Sequence, residues 1–184
     1  MPAPALRAPV VIEGVRLRLR RSTPDDAAAT YRVINHIEVM RYMDWPANGS
    51  VEESRRYLEG CAARWDAGTE FHWMIELKAT GDVLGSISCR MHGHAADFGY
   101  LLAHEYWGHG YGSEAAALLV GWLRRQHSIV RIWATTDSEN VRSAAVLRKA
   151  GLQLEGVMRK ATLRPNIGDP PRDTALYALV RDDI

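Results

Sequence analysis

The stretch Trp107-Gly108-His109-Gly110-Tyr111-Gly112-Ser113-Glu114-Ala115 decides the fold of this 184-residue chain. It lies between a segment predicted to be a strand and a run of helix-forming residues. Glycine at alternate positions lets the backbone turn tightly and approach a ligand without a Cβ in the way. A helix that begins here presents free N–H groups and the positive end of its dipole. The loop therefore predicts an anion site suited to a pyrophosphate.

Glycine-rich loops of this kind have three other interpretations. A Walker loop needs Lys followed by Ser or Thr after the glycines, and none follows here. The dinucleotide fingerprint needs Gly-x-Gly-x-x-Gly, whereas this loop has Gly-x-Gly-x-Gly after a meander of strands. An ATP-binding protein is thus disfavoured, while a flexible turn that merely needs glycine stays open.

The segments around the loop predict an α/β (α+β) fold, with a mixed, mostly antiparallel sheet of about seven strands and helices on both faces. Thr23-Pro24-Asp25-Asp26 and Ser50-Val51-Glu52-Glu53 are typical of helix starts. Further helices are expected from about Ser113 to Arg125 and from Val141 to Ala150. The predicted strands are Val15–Arg20, Phe71–Leu77, Val83–Met91, Asp97–Leu102, Ile129–Thr135, Leu154–Leu163 and Thr174–Val180.

A second motif begins at Asn140-Val141-Arg142-Ser143, directly after a predicted strand. The Asn140 amide can hold an amide group of a ligand, or it can cap the helix that follows. Ser143 shares a helical face with Val146, Leu147 and Ala150. It is either a hydroxyl beside a ligand or a small residue on a packed face.

Composition narrows the class of protein. The formal net charge is +1, so binding to nucleic acid or to a membrane surface is not expected. The densest basic patch, residues 16–21, is typical of the solvent face of a strand. Cys61 and Cys89 lack metal-ligand spacing, which favours a reducing, cytoplasmic location and no metal. The Pro/Ala-rich residues 1–9 are expected to be flexible, and no membrane-spanning run is present.

The loop resembles the acetyl-CoA motif of the GNAT superfamily, Gln/Arg-x-x-Gly-x-Gly/Ala, with Gly110 and Gly112 in the two small positions. Trp107 stands where Gln or Arg is usual. This departure, followed by Ser-Glu-Ala, resembles the RimJ/RimL branch of ribosomal-protein N-acetyltransferases. The motif at 140–151 resembles the next motif of the family. The resemblance covers roughly residues 10–180 and implies one acyltransferase domain over residues 1–184.

The resemblance implies acetyl-CoA as the acyl donor. The two parallel strands, 97–102 and 129–135, should splay apart and admit the thioester, whose carbonyl would meet an N–H near Leu101 or Leu102. Asn140 would contact the pantetheine arm. The backbone N–H groups expected to hold the pyrophosphate are those of His109, Gly110, Gly112 and Ser113, and Trp107 and Gly108 are expected in the same cofactor site.

Acetyl transfer needs a neutral amine, whose proton a base must remove because an alkyl ammonium has a pKa near ~10. Asp97 is the first candidate for this base, although an ordinary polar residue at a strand end fits the pattern equally. Many GNAT enzymes place a Tyr acid where this chain has Leu147. In RimJ/RimL-like enzymes a Ser is its proposed substitute, and Ser143 matches it. RimL-like enzymes carry a Glu where Thr162 stands, so ribosomal-protein specificity does not transfer directly.

The fold that the resemblance implies would place an acceptor pocket at Tyr42, Trp45, His72 and Trp73, with the loop 166–171 beside it. Each aromatic residue could equally belong to the core. The acceptor is expected to be a small-molecule or peptide amine. Transfer of a longer acyl group, such as succinyl, and a non-catalytic acetyl-CoA-binding module remain open. So does a homodimer, by analogy with relatives.

Overall fold

The computed structural model describes residues 6–46 and 49–181, and every structural statement below concerns these residues. Eight strands form one mixed sheet in the order β1-β2-β3-β4-β5-β6-β8-β7. The strands are β1 Val11–Glu13, β2 Leu17–Arg21, β3 Glu70–Leu77, β4 Val83–His92, β5 Ala95–Leu102, β6 Arg131–Asp137, β7 Gln153–Arg164 and β8 Gly168–Val180. The helices are α1 Ala27–Ile34, α2 Ile37–Met40, α3 Val51–Asp66, α4 Tyr111–Arg124 and α5 Val141–Lys149.

The strands β5 and β6 are the parallel pair of the described sheet, and they separate early. They pair only from Ala95 to Asp97, opposite Arg131 to Trp133. The rest of β5 leaves β6 and stays paired with β4 as far as Leu102. The splay that the resemblance implied is therefore present, and the mixed fold is confirmed.

The predicted helix starts are confirmed by their capping contacts. The Ser50 hydroxyl accepts a hydrogen bond of 3.1 Å from the Glu53 N–H. Thr23 N–H donates to the Asp26 carboxylate over 2.8 Å, although a 3-10 turn precedes α1 here. The sequence pattern missed β1 and α2. They have only three and four residues, too few to display a period.

Aromatic side chains fix α4 against the sheet. Trp73 lies at the centre, with its ring centroid 5.0 Å from that of Trp65 and 5.6 Å from that of Trp122. Phe71 packs edge-on against both Trp65 and Trp122. Such edge-to-face packing in a buried core holds a helix in one place. Because α4 follows the glycine loop, this core also positions the loop.

The basic patch at residues 16–21 is neutralised locally. Arg18 pairs with Glu13, Arg20 with Asp26 and Glu76, and Arg21 with Asp66. The Arg16 guanidinium contacts Glu114. The patch therefore does not present a field of free positive charge.

The N-terminal segment is partly ordered by packing. Leu6 and Ala8 pack against the core, so this part of the segment 1–9 is fixed in place, while residues 1–5 lie outside the described part.

Among the described helices, none combines the length and the apolar composition that crossing a membrane would require.

Candidate active site

An open cavity of about 560 Å³ lies between the glycine loop and the splayed strands. Its size is that of a small-molecule site. It brings together most of the cofactor residues expected from the sequence. They are Leu101, Leu102, Trp107, Gly108, Gly110, Gly112, Ser113, Asn140 and Ser143. His109 is not in the lining, and its carbonyl oxygen instead accepts a hydrogen bond from Arg16.

The loop backbone fits a phosphate. Gly108 and Gly110 have φ values of +82° and +80°, in the left-handed region that favours glycine. Gly110 is the N-cap of α4 and has no side chain to accept from the first helical N–H groups. Those groups lie at Tyr111 to Ser113, which line the cavity. Uncapped N–H groups at a helix N-terminus bind anions well, so the residues present fit a pyrophosphate.

Gly112 is needed for packing rather than for a turn. A Cβ at this position would lie 3.3 Å from Cε2 of Tyr100 and 3.6 Å from Cγ2 of Val146. The absent side chain lets the Tyr100 ring lie directly against the first turn of α4. Sequence reasoning assigned Gly112 to the phosphate path and did not identify Tyr100, which lines the cavity.

Trp107 anchors the loop to the end of β5. Its Nε1–H donates a hydrogen bond of 2.8 Å to the Leu102 carbonyl oxygen. The Arg142 guanidinium lies 5.1 Å from the centre of its ring, within cation–π distance. Arg142 also lines the cavity. The tryptophan in the usual Gln or Arg position therefore brings a guanidinium from α5 to the site.

Arg16 and Glu114 lock the loop to β2. The Glu114 carboxylate accepts hydrogen bonds from the Arg16 N–H at 2.8 Å and the Leu17 N–H at 3.1 Å. Arg16 also donates to the His109 carbonyl over 3.0 Å and covers the ring of Tyr111 at 4.6 Å. Burial raises the pKa of Glu114, but the bonds from Arg16 and Leu17 outweigh it and lower the pKa overall. No local pattern links residues so far apart in sequence.

Asn140 and Ser143 lie together at the start of α5. The Asn140 amide oxygen accepts a hydrogen bond of 3.1 Å from the Ser143 N–H, so Asn140 caps the helix while it lines the cavity. Leu147, one turn further, is only 2% exposed and belongs to the core. Thr162 forms a hydrogen bond of 2.8 Å with the Thr174 hydroxyl.

Asp97 lies at the last paired position before the splay. Its side chain is 4% exposed. The carboxylate accepts a hydrogen bond of 3.0 Å from Arg90 Nε and lies 2.6 Å from His92 Nε2. It is not in the cavity lining. The carboxylate is thus engaged with two basic side chains rather than free.

The residues expected to form the acceptor pocket divide into two groups. Tyr42 lines the cavity, whereas Trp45 does not and has an exposed side chain, which corrects the expectation for Trp45. The Asn166 side chain donates to the carbonyl oxygens of Met40 and Trp45 at 2.7 and 2.8 Å. These bonds attach the turn between β7 and β8 to the segment after α2.

His72 and Trp73 do not line the cavity, which corrects the expectation for both. They lie on the central strand β3, and the helices packed on its two faces leave them 3% and 0% exposed. His72 Nδ1 lies 2.9 Å from the Ser22 hydroxyl, and Trp73 Nε1–H donates to the Pro9 carbonyl at 3.0 Å. Burial lowers the pKa of His72 to about 4. The run Phe71-His72-Trp73-Met74-Ile75 is apolar apart from His72, which is typical of a strand covered on both faces.

A phosphate-binding loop, splayed parallel strands and a hydroxyl on the next helix define an acyltransferase that takes its acyl group from CoA. Residues 16–153 match the family model described as acetyltransferase (GNAT) domain. The chain belongs to this family of N-acetyltransferases.

Proteins of similar sequence and structure support this assignment. An uncharacterized N-acetyltransferase, YoaA, of Bacillus subtilis is 29% identical over 93% of this chain and 97% of its own. RimL, a ribosomal L7/L12 alpha-N-protein acetyltransferase solved with coenzyme A, is 25% identical, with a TM-score of 0.85 over 95% of this chain and 99% of its own. RimJ of Mycobacterium smegmatis, solved with CoA-disulfide, is also 25% identical, with a TM-score of 0.81 over 95% and 86%.

Proposed function

We propose that this N-acetyltransferase transfers the acetyl group of acetyl-CoA directly to a primary amine of a peptide or a small molecule. One observation carries the proposal. A single cavity runs from the uncapped N-terminus of α4, past the splayed strands, to the segment after α2. Both substrates can therefore meet inside it, and no acyl-enzyme is needed. Cys61 and Cys89 are buried, and burial raises the pKa of both thiols.

The loop end of the cavity is assigned to CoA. The N–H groups at the start of α4 would hold the pyrophosphate, with Arg142 adding positive charge. Asn140 and the separated part of β5 would hold the pantetheine arm. The backbone N–H of Leu102 would polarise the thioester carbonyl, because β6 leaves this stretch of β5 unpaired on one side, whereas the N–H of Leu101 faces β4.

The other end is assigned to the acceptor. Glu38, Tyr42 and Met43 line it, and Glu139 faces it from the start of α5. The similarity to RimL, a ribosomal L7/L12 alpha-N-protein acetyltransferase, supports a protein α-amine as one acceptor class. Thr162 in place of a Glu argues against carrying the L7/L12 acceptor over unchanged.

The proposed chemical roles fall to Ser143 and Asp97. Ser143 lines the cavity and would give a proton to the departing sulfur. The Asp97 carboxylate is outside the cavity lining and bound to Arg90 and His92, so it would take the proton of the amine only through the His92 imidazole. Half of the His92 side chain is exposed, so its imidazole can reach solvent while the buried carboxylate orients it.

The test has two stages. Calorimetric titration with acetyl-CoA, CoA, succinyl-CoA and ATP identifies the donor class. Acetyl-CoA and CoA should bind and ATP should not. Turnover is then measured with peptides of free N-terminus, lysine peptides, polyamines and amino acids. Tight cofactor binding with only background hydrolysis would indicate a non-catalytic module. Faster turnover with succinyl-CoA than with acetyl-CoA would identify succinyl as the transferred group.

A further inference from the structure

Two histidine rings are stacked between α2 and the glycine loop. His36 is the N-cap of α2, and His104 is the first residue of the 3-10 turn that follows β5. Their ring centroids are 4.6 Å apart, and the ring planes differ by only 10°. The His104 ring also lies 4.8 Å from the ring of Trp107, at the head of the loop. The ring contacts therefore run without a break from α2 to the glycine loop.

The segment that follows His36 forms one wall of the acceptor end of the cavity. We call this segment the acceptor wall, and its lining residues are Glu38, Val39, Arg41, Tyr42 and Met43. The helix α2 within it has only four residues, Ile37–Met40. So short a helix is not stable by itself, because nucleation costs more than one turn returns. The position of the wall must therefore come from contacts with other elements.

The acceptor wall is held at its far end, in its middle and at its start. At the far end, the Asn166 side chain donates to the carbonyl oxygens of Met40 and Trp45. In the middle, Val39 and Ala103 belong to one small buried cluster. At the start, the stacked histidine rings connect the wall to the glycine loop. The stack therefore fixes the end of the wall that is tied to the cofactor side.

The stack, rather than a hydrogen bond, holds the His36 ring on its buried side. The His36 Nδ1 atom is buried and has no hydrogen-bond partner among the described residues. At the other end of the stack, Trp107 Nε1–H donates to the Leu102 carbonyl oxygen over 2.8 Å, so the indole is anchored independently. His104 contacts both rings and is the link between the free ring and the anchored one.

We propose that His104 is a positioning residue for the acceptor: by bridging His36 and Trp107 it sets the distance between the acceptor wall and the thioester. The inference rests on the proposed function, which assigns this end of the cavity to the amine. Without the bridge, the start of the wall is no longer fixed, and the amine is bound less tightly. Aromatic contacts of this kind change an equilibrium by a factor of about two to ten.

The main test is His104→Ala, with the fastest amine of the acceptor panel as the probe. Its KM, measured at saturating acetyl-CoA, should rise about fivefold through the loss of the ring contacts. The affinity for CoA in calorimetry should stay within about twofold, because Trp107 keeps its bond to Leu102. Since His104 is exposed, the substitution should not unfold the protein. An unchanged KM, or an equal loss of CoA affinity, would overturn the inference.

A conservative variant separates the flat ring from the imidazole nitrogens. His104→Phe keeps a ring that can stack and should return the KM to within about twofold of the wild type. A phenylalanine variant as impaired as the alanine variant would contradict positioning by the stack.

A double-mutant cycle tests whether the two histidines act together. His36→Ala should raise the KM as much as His104→Ala does, and the double variant should be no worse than either. Penalties that multiply in the double variant would show two independent effects and would refute the bridge.

The matched control is His127→Ala. His127 is an exposed histidine beyond the C-terminal end of α4 and does not line the active-site cavity. This variant should keep the wild-type KM for the amine. A rise equal to that of His104→Ala would show that the KM responds to any lost imidazole, and the inference would fall.

NMR of the ligand-free protein observes the stack without any substrate. The ring current of His104 displaces the resonances of the His36 ring protons. These resonances should move in His104→Ala and stay displaced in His104→Phe, and unmoved resonances in His104→Ala would exclude the stack. If the wild type acetylates no amine of the panel, the proposed function falls and takes this inference with it. If the wild type is active and His104→Ala has the same KM, only the inference falls.

Discussion

Replacing His72 by Gln should remove a specific part of the acid sensitivity of the fold. Burial lowers the pKa of His72 from 6.5 to about 4, with the nearby Arg64 charge acting in the same direction and Asp26 against it. Between these two pH values the unfolded chain binds a proton on His72 that the folded protein does not. Stability from this residue is therefore complete above pH 6.5 and is lost as the pH falls towards 4.

The size of the effect follows from proton linkage. When the unfolded chain binds one proton more than the folded protein, the free energy of unfolding falls by about 1.4 kcal/mol for each pH unit of acidification. Between pH 6.5 and about 4 the total loss is about 3 kcal/mol. The difference in unfolding free energy between wild type and His72→Gln should shrink by about this amount from pH 7 to pH 4. Other titrating groups act on both proteins and cancel.

Urea unfolding followed by tryptophan fluorescence, across that pH range, measures the difference. Gln can keep a hydrogen bond to Ser22 and does not titrate. His94→Gln, at an exposed histidine in the turn between β4 and β5, is the control and should leave the pH dependence unaltered. A constant gap between wild type and His72→Gln would refute the buried, neutral state of this imidazole. Acetylation by His72→Gln at neutral pH should be unaffected, because the residue lies outside the cavity.

Three further substitutions probe the site. Gly112→Val should weaken CoA binding at least tenfold and cost about 2 kcal/mol, because its Cβ meets an aromatic ring at 3.3 Å; Gly156→Val, where nothing lies within 4 Å, should leave the CoA affinity unchanged in calorimetry. Arg142→Ala should weaken CoA binding about tenfold through the loss of a charge-assisted contact, whereas the exposed Arg159→Ala should not, and equal affinities would remove this guanidinium from the phosphate site. Asp97→Asn should lower kcat about a hundredfold and flatten its pH profile from ~6 to ~9; an unaltered profile would assign the base to another group.

Local chemistry made much of the fold predictable. Thr23 and Ser50 form capping hydrogen bonds with residues three positions further along the chain. Because these partners are so near in sequence, the sequence alone predicts the two helix starts. The glycines at 108 and 110 need a left-handed backbone, which few other residues adopt. The cofactor loop and the order of most elements follow from such short-range rules.

The contacts that assemble the site are long-range, and no local pattern contains them. Arg16 and Glu114 are 98 residues apart in sequence, yet their bonds hold the loop to β2. His72 lies in the apolar run 71–75, which is typical of a strand covered on both faces, but that run does not say which helix covers it. The helix that does so is α3, through Tyr57. Arg90 and His92 lie on the same hairpin as Asp97, so the sequence indicates that they are near it. It does not indicate that both would bind its carboxylate.

The two departures from the family motif are best understood as pairs. Trp107 removes the usual polar side chain at the head of the loop, and the Arg142 guanidinium lies over its ring and faces the same cavity. Leu147 removes the usual tyrosine, and the Ser143 hydroxyl, one turn earlier on α5, lines the cavity. Reinstating a tyrosine at 147 would force a larger, polar side chain into a core position that is 2% exposed, at a cost of about 1 to 3 kcal/mol. A polar group lost at one position of the motif thus has a counterpart at another residue that lines the same cavity.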